Sequence, residues 1–223
     1  MAGEITQTIA EYLEAIYNMI DEGKTVIAAR IADRMDVSRA TVSATLRRMR
    51  DQDLVVVDDD TNQIVLSEHG LRLARENIRR HRLAERFLTD LLHLEWHVAH
   101  TEAHAFEHGL SPIVEERLFE LLGHPTTCPH GNPIPGTGAV KLPASAITLD
   151  QLDPATDGIV LRITEEGERD LNLLRCFQQR GVVPGAHVSV DRAEGDMVTI
   201  RGAGGAVRVP ARQARTVWVE PAS

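Results

Sequence analysis

Residues 25–66 constrain the fold more than any other stretch of this 223-residue chain. They read TVIAARIADRMDVSRATVSATLRRMRDQDLVVVDDDTNQIVL. Ile27, Ile31 and Met35 recur at helical spacing and predict a short helix. Asp36-Val37-Ser38 reads as a turn, with Ser38 placed to cap the next helix. Val42, Leu46 and Met49 carry that second helix, ending near Asp53. Leu54 to Val57 is a short β-branched strand, Asp58 to Asn62 a polar turn, and Gln63 to Leu66 a second strand. Before them, Ile9, Leu13, Ile16, Tyr17 and Ile20 mark a helix from Thr6 to Ile20. Two short helices, a tight turn and a hairpin make a winged helix-turn-helix.

Charge sharpens this reading. The chain carries a formal net charge of −9, which argues against a nucleic-acid binder as a whole-chain average. Yet Ser38 to Arg50 holds Arg39, Arg47, Arg48 and Arg50 and no acidic residue. A helix entering the major groove needs arginines for phosphates and short polar side chains for base edges. Ser38, Arg39, Ala40, Thr41, Ser43, Arg47 and Arg48 are the candidate DNA contacts, against the plainer reading of a solvated face. One short helix reads few base pairs, so a homodimer on a double-stranded operator is expected.

Beyond the wing the pattern is helical: a long helix from Ser67 to about Leu92, one from Trp96 to about Gly109, and one from Ser111 to about Leu122. Pro125 to Pro143 is dense in Pro and Gly and reads as loop and linker. IVLRITEEGE, HVSVDR, MVTIRG, VRVPARQA and TVWVEP read as short strands of a small β-barrel, with a helix at 169–180. The expected class is mainly α with small β parts. The expected divisions are 1–72 for the winged helix, 73–142 for a helical domain, 143–157 for a linker and 158–223 for the barrel.

The stretch 100–108 reads HTEAHAFEH. At about 100° per residue, His100, His104, Glu107 and His108 share one helix face, and Glu102 points away. His81 and Glu85 form a second His/Glu pair at i, i+4 on the preceding helix, and the first helix offers Glu11 and Glu14. Imidazole and carboxylate together suit divalent Mn, Fe or Zn. Single histidines are more often surface or core residues; the clustering is what favours a metal. His93, His97, His124 and His130 have no evident role. Cys128 reads as a structural or incidental loop thiol, and Cys176 as core beside Leu173, Leu174 and Phe177.

The order of these parts, with RRHRLAERFLTDLL, HTEAHAFEH and GNPIPG, resembles the diphtheria toxin repressor family of iron- and manganese-dependent regulators over nearly the whole chain. That resemblance implies a metal-dependent transcriptional repressor with a central metal-binding and dimerisation domain and an SH3-like, FeoA-like third domain. It implies a primary site of Glu11, His104, Glu107 and His108 that joins the DNA-binding domain to the dimerisation domain, so that metal sets the spacing of the recognition helices. It implies an ancillary site of His81, Glu85 and His100, completed by Glu165 and Glu168. The iron-type pattern has Met and Cys where Glu11 and His104 stand. The manganese type has carboxylates at both, with a further glutamate where Glu14 stands. The oxygen and nitrogen set leans toward Mn(II), with Fe(II) and then Zn(II) as the other candidates.

Two cysteines and no apolar run of membrane length lead us to expect a cytoplasmic protein without membrane contact. No HExxH and no nucleophile motif is present, so a metal-dependent hydrolase is the weaker alternative, beside a metal-independent winged-helix regulator.

Overall fold

The computed structural model describes residues 5–139, 141–154, 156–192 and 195–222. The chain divides into two compact units, Met1–Arg79 and Arg80–Ser223.

The first unit holds α1 (Gln7–Asp21), α2 (Ala28–Met35), α3 (Arg39–Asp51), β1 (Val55–Val57), β2 (Ile64–Leu66) and the start of α4 (Glu68–Arg86). Thr6 caps α1 by accepting the Ile9 N–H. Asp36 ends α2 in the left-handed conformation at φ 52°, and Ser38 then caps α3. β1 and β2 pair antiparallel, with Val55 opposite Leu66. Ile9, Leu13, Ile16, Ile31, Val42 and Met49 meet in one core with Leu54 and Ile64. Each comes from the apolar stripe of its own element, so the pattern of the sequence and the packing agree.

The second unit begins within α4, which ends in a π-helical turn at Phe87–Leu91. α5 (Trp96–Glu107) and α6 (Pro112–Leu121) come next, the latter capped by Ser111 with Pro112 in its first turn. The strand-rich part comprises β3 (Ile147–Thr148), β4 (Gly158–Ile163), β5 (His187–Arg192), β6 (Met197–Gly202), β7 (Gly205–Pro210) and β8 (Val217–Pro221). Their order is β3-β8-β4-β5-β6-β7, and every neighbouring pair is antiparallel. Between β4 and β5 lie α7 (Glu165–Glu168) and α8 (Leu171–Arg180); α9 (Ala211–Ala214) precedes β8. Val160, Val188, Ile200, Val219, Leu174 and Phe177 form the core of this part, and Trp96 of α5 is buried in it. The Trp96 N–H also donates to Gln178 Oε1 at 2.9 Å. Helices and sheet therefore pack as one body in this unit.

Three local expectations are corrected. IVLRITEEGE is not a continuous strand: β4 stops at Ile163 and the chain turns into α7 behind Thr164. Cys176 is half-buried; the core face of α8 is Leu173, Leu174 and Phe177. The Pro/Gly-rich stretch is no slack tether, since Cys128, His130, Asn132 and Ile134 are all at most 1% exposed. The 143–157 range also contains β3 and a 3₁₀ turn that sends Leu149 into the core. Among the described residues, no helix is long and apolar enough to cross a membrane.

Candidate metal centre

On α4, His81 and Glu85 are one turn apart and face the same side. Both are buried, at 1% and 0% exposure. Residues four and seven apart on α5 bring His100, His104 and Glu107 against them. His81 Nδ1 lies 2.6 Å from Glu107 Oε2, and His81 Nε2 lies 3.3 Å from Glu85 Oε1. His100 Nδ1 lies 2.8 Å from Glu85 Oε1. The His81 and His104 ring centroids are 4.5 Å apart. Glu168, from α7, completes the arrangement with Oε2 at 3.6 Å from His100 Nδ1.

The structure also brings in residues that the sequence did not single out. Cys128 and His130 stand against Glu85, and one ligand atom of each lies within 4.8 Å of the others. His130 Nδ1 is 3.2 Å from Glu168 Oε1 and 3.6 Å from Glu85 Oε2. Glu85 therefore belongs both to the imidazole group of His81 and His100 and to the thiol group of Cys128 and His130.

The 127–134 loop is held rigidly enough to place them. Cys128 N–H donates to the Asn132 carbonyl at 2.8 Å, and the Ile163 N–H donates to the His130 carbonyl at 2.8 Å. Asn132 Nδ2 donates to the Ile163 carbonyl at 2.8 Å and also to Glu168 Oε1. Gly131 sits at φ +88°, and a Cβ there would run into the Leu161 carbonyl of β4, so only glycine closes this loop onto the sheet. A Cys and a His two residues apart, between prolines, was the one sequence sign of it.

Electrostatics fit a cation. Glu85, Glu107, Glu165 and Glu168 are all buried. Burial opposes the charged form of Glu85, yet His130, His81 and the His100 hydrogen bond outweigh it and hold its carboxyl well below the usual range. Burial likewise opposes charge on His130, but Glu168 and Glu85 raise its pKa well above normal. His100 is raised against burial by Glu85. Burial and then Glu165 push Glu168 up. His104 differs: partial burial, with His81 and His100 beside it, lowers it to about 4. Burial and the neighbouring carboxylates raise the Cys128 thiol. Glu85 Oε2, Glu168 Oε2 and His130 Nε2 are buried with no hydrogen-bond partner. Buried polar atoms are normally satisfied, so three orphans on residues of this cluster, two of them carboxylate oxygens, suit an ion.

Not every residue implied by the resemblance joins this cluster. Glu165 is drawn to Arg82, at 2.7 Å. His108 ends α5 partly exposed, with Nε2 3.8 Å from Glu107 Oε1. Glu102 is exposed. Glu11 is exposed on α1 and Glu14 half-buried one turn on, both in the first unit. There too, Ser38, Arg39, Ala40, Thr41, Ser43, Arg47 and Arg48 are all exposed, opposite the buried Val42, Thr45, Leu46 and Met49. Ser38 Oγ accepts the Thr41 N–H at 3.1 Å.

Residues 4–61 match the iron dependent repressor N-terminal DNA binding domain, and residues 67–136 its metal binding and dimerisation domain. The iron-dependent repressor IdeR of Mycobacterium tuberculosis is 40% identical over 227 residues, covering 97% of this chain and 98% of that one. This chain belongs to the iron-dependent repressor family. Residues 147–221 match the FeoA domain. The diphtheria toxin repressor of Corynebacterium glutamicum is 36% identical over 203 residues, covering 87% and 88% of the two chains. Among solved structures, a manganese-dependent transcriptional repressor in complex with manganese superposes with a TM-score of 0.78 at 32% identity, over 96% of this chain and 99% of that one. The repressor family thus spans iron- and manganese-dependent members, and this chain is similar to both.

Proposed function

We propose that this member of the family is a cytoplasmic, homodimeric repressor that binds operator DNA when it has taken up Mn(II) or Fe(II), and that it controls metal-uptake genes. The observation that carries this is two buried ligand groups that share Glu85, His81 with His100 and Cys128 with His130, and Glu168 set against His100 and His130. Those six residues would hold the ion. A bound divalent ion would supply the positive charge that the imidazoles give up when they release their protons to ligate it.

The chain's own residues prepare for this. In the metal-free protein Glu85 raises His100, and Glu168 and Glu85 raise His130, so these rings hold a proton more tightly than a free imidazole does. The Cys128 thiol stays protonated there. His104, with its pKa near 4, is neutral at physiological pH and presents a donor without first losing a proton. On the resemblance, Glu11 of the DNA-binding unit shares a second ion with His104, Glu107 and His108, with Glu14 nearby. Fixing one unit against the other would couple metal to DNA affinity, and the coupling must be reciprocal. Leu92 and, on α5 and α6, Phe106, Ile113, Val114 and Leu121 are exposed apolar side chains of the dimerisation domain, which supports dimerisation there.

The test is binding of metal-stripped protein to randomised DNA, alone and with Mn(II), Fe(II) or Zn(II) in separate anaerobic samples. One metal should switch binding on. Equal binding with and without metal would leave a metal-independent winged-helix regulator. Glu11→Ala should abolish the metal response while leaving uptake at the buried cluster intact.

A further inference from the structure

Arg82 is fully buried and is the largest such side chain among the described residues. It comes directly after His81 on α4, about 100° round the ligand helix from it. One guanidinium nitrogen donates to the Pro133 carbonyl and another to Glu165 Oε1 at 2.7 Å. It thus spans three segments far apart in sequence: the ligand helix, the loop that carries Cys128 and His130, and the α7 turn that carries Glu168. The two glutamates of α7 have different partners. Glu165 goes to Arg82, whereas Glu168 meets Asn132, His130 and His100.

We infer that Arg82 is a positioning residue of the metal centre: with Arg86, which donates to the Thr127 carbonyl at 2.7 Å, it fastens the 127–134 loop to the ligand helix, and it alone of the two also binds α7 and holds Glu165 off the ion, which leaves Glu168 as the donor from α7. The inference rests on the metal-sensor reading and departs from the resemblance, which would give the ion both glutamates. Arginine suits the task. A guanidinium stays charged with or without an ion, and its planar fork reaches two acceptors at once. The histidines of the cluster can exchange protons for metal; Arg82 cannot, so the fastening is present before the ion arrives. A buried carboxylate without such a partner would either compete for the ion or take up a proton.

The experiment uses the full chain and Co(II) as the probe, with affinity read by chelator competition and coordination read from the visible spectrum. Hydrogen exchange of residues 126–134 is measured in the metal-free protein. Glu165→Gln should keep the wild-type spectrum and an affinity within about threefold, whereas Glu168→Gln should lose about tenfold or more. Arg82→Met should lose about 10- to 100-fold and also expose 126–134 to exchange before any metal is added. Adding Glu165→Met to Arg82→Met should recover part of that affinity, because the stranded carboxylate is gone. A changed spectrum or a tenfold loss in Glu165→Gln would make Glu165 a ligand and overturn the inference. So would an Arg82→Met protein with unaltered exchange and affinity, or a double variant no better than Arg82→Met. Wild-type protein that takes up no Co(II) or Mn(II) overturns the sensor reading and the choice of donor together, and the exchange measurement then still decides whether Arg82 fastens the loop.

Discussion

The recognition helix α3 and the 127–134 loop handle polar residues in opposite ways. On α3 every candidate contact is exposed, and the helix is held by an apolar face that has no part in binding. In the loop, the candidate ligands Cys128 and His130 are themselves buried and form part of what holds the structure. Exposed charges are well hydrated, so they can be kept for a partner at little cost to the fold. Buried ones must be satisfied by neighbours or by an ion, so function and stability cannot be separated there. Substitutions should therefore show up in different assays for the two regions.

The largest effect is expected at Glu85, which both ligand groups share. Glu85→Ala should weaken Mn(II) or Co(II) uptake by about 100-fold, measured by competition titration, and remove the metal response of DNA binding. Loss of less than about threefold would show that the cluster is not the ion's site.

Gly131→Ala tests whether the loop is as tightly seated as its contacts imply. It should cost roughly 2 kcal/mol of stability, read by chemical denaturation of the metal-free protein, through positive-φ strain and the clash with β4. An unchanged midpoint would mean the loop can lift from the sheet.

The next effect is in pH. His100 and His130 have raised values in the folded protein, so their stabilisation is complete below the unfolded value of 6.5 and fades as pH rises through the folded values. Metal needs both rings unprotonated. Uptake should release about one proton or more per ion, and affinity should climb between about pH 6 and pH 8. Calorimetry in buffers of different ionisation enthalpy measures the release; none at all would contradict the assigned ligands.

On α3, Arg47→Ala or Arg48→Ala should weaken operator binding about tenfold and reduce its salt dependence by about one unit of slope, with the melting temperature unchanged. A lost melting temperature would break the contrast between the two regions. Ser38→Ala is the smallest change, at about 1 kcal/mol, because it removes the α3 cap; it marks where a candidate contact also serves the fold.

The sequence by itself determined the parts whose signals are local. The stripes of α1 to α3, the Ser38 cap, the arginines of α3 and the i, i+4 pairs on α4 and α5 all arise from periodicity within one element. The charge on α3 was legible because its arginines sit together within residues 38–50, a stretch without an acidic residue, and they are exposed. Tertiary structure alone decided the rest of the centre. Asn132 meets Glu168 and Arg82 meets Glu165 across 36 and 83 residues of chain, and no local pattern encodes either approach. CPHGNPIPG looks like a tether because proline and glycine punctuate it, yet those residues shape a loop whose amides and carbonyls pair with β4. Glu165 and Glu168 look equivalent in the sequence. A buried guanidinium on a distant helix gives them different partners, because a charge out of water is governed by its nearest counter-charge in space, whatever its place in the chain.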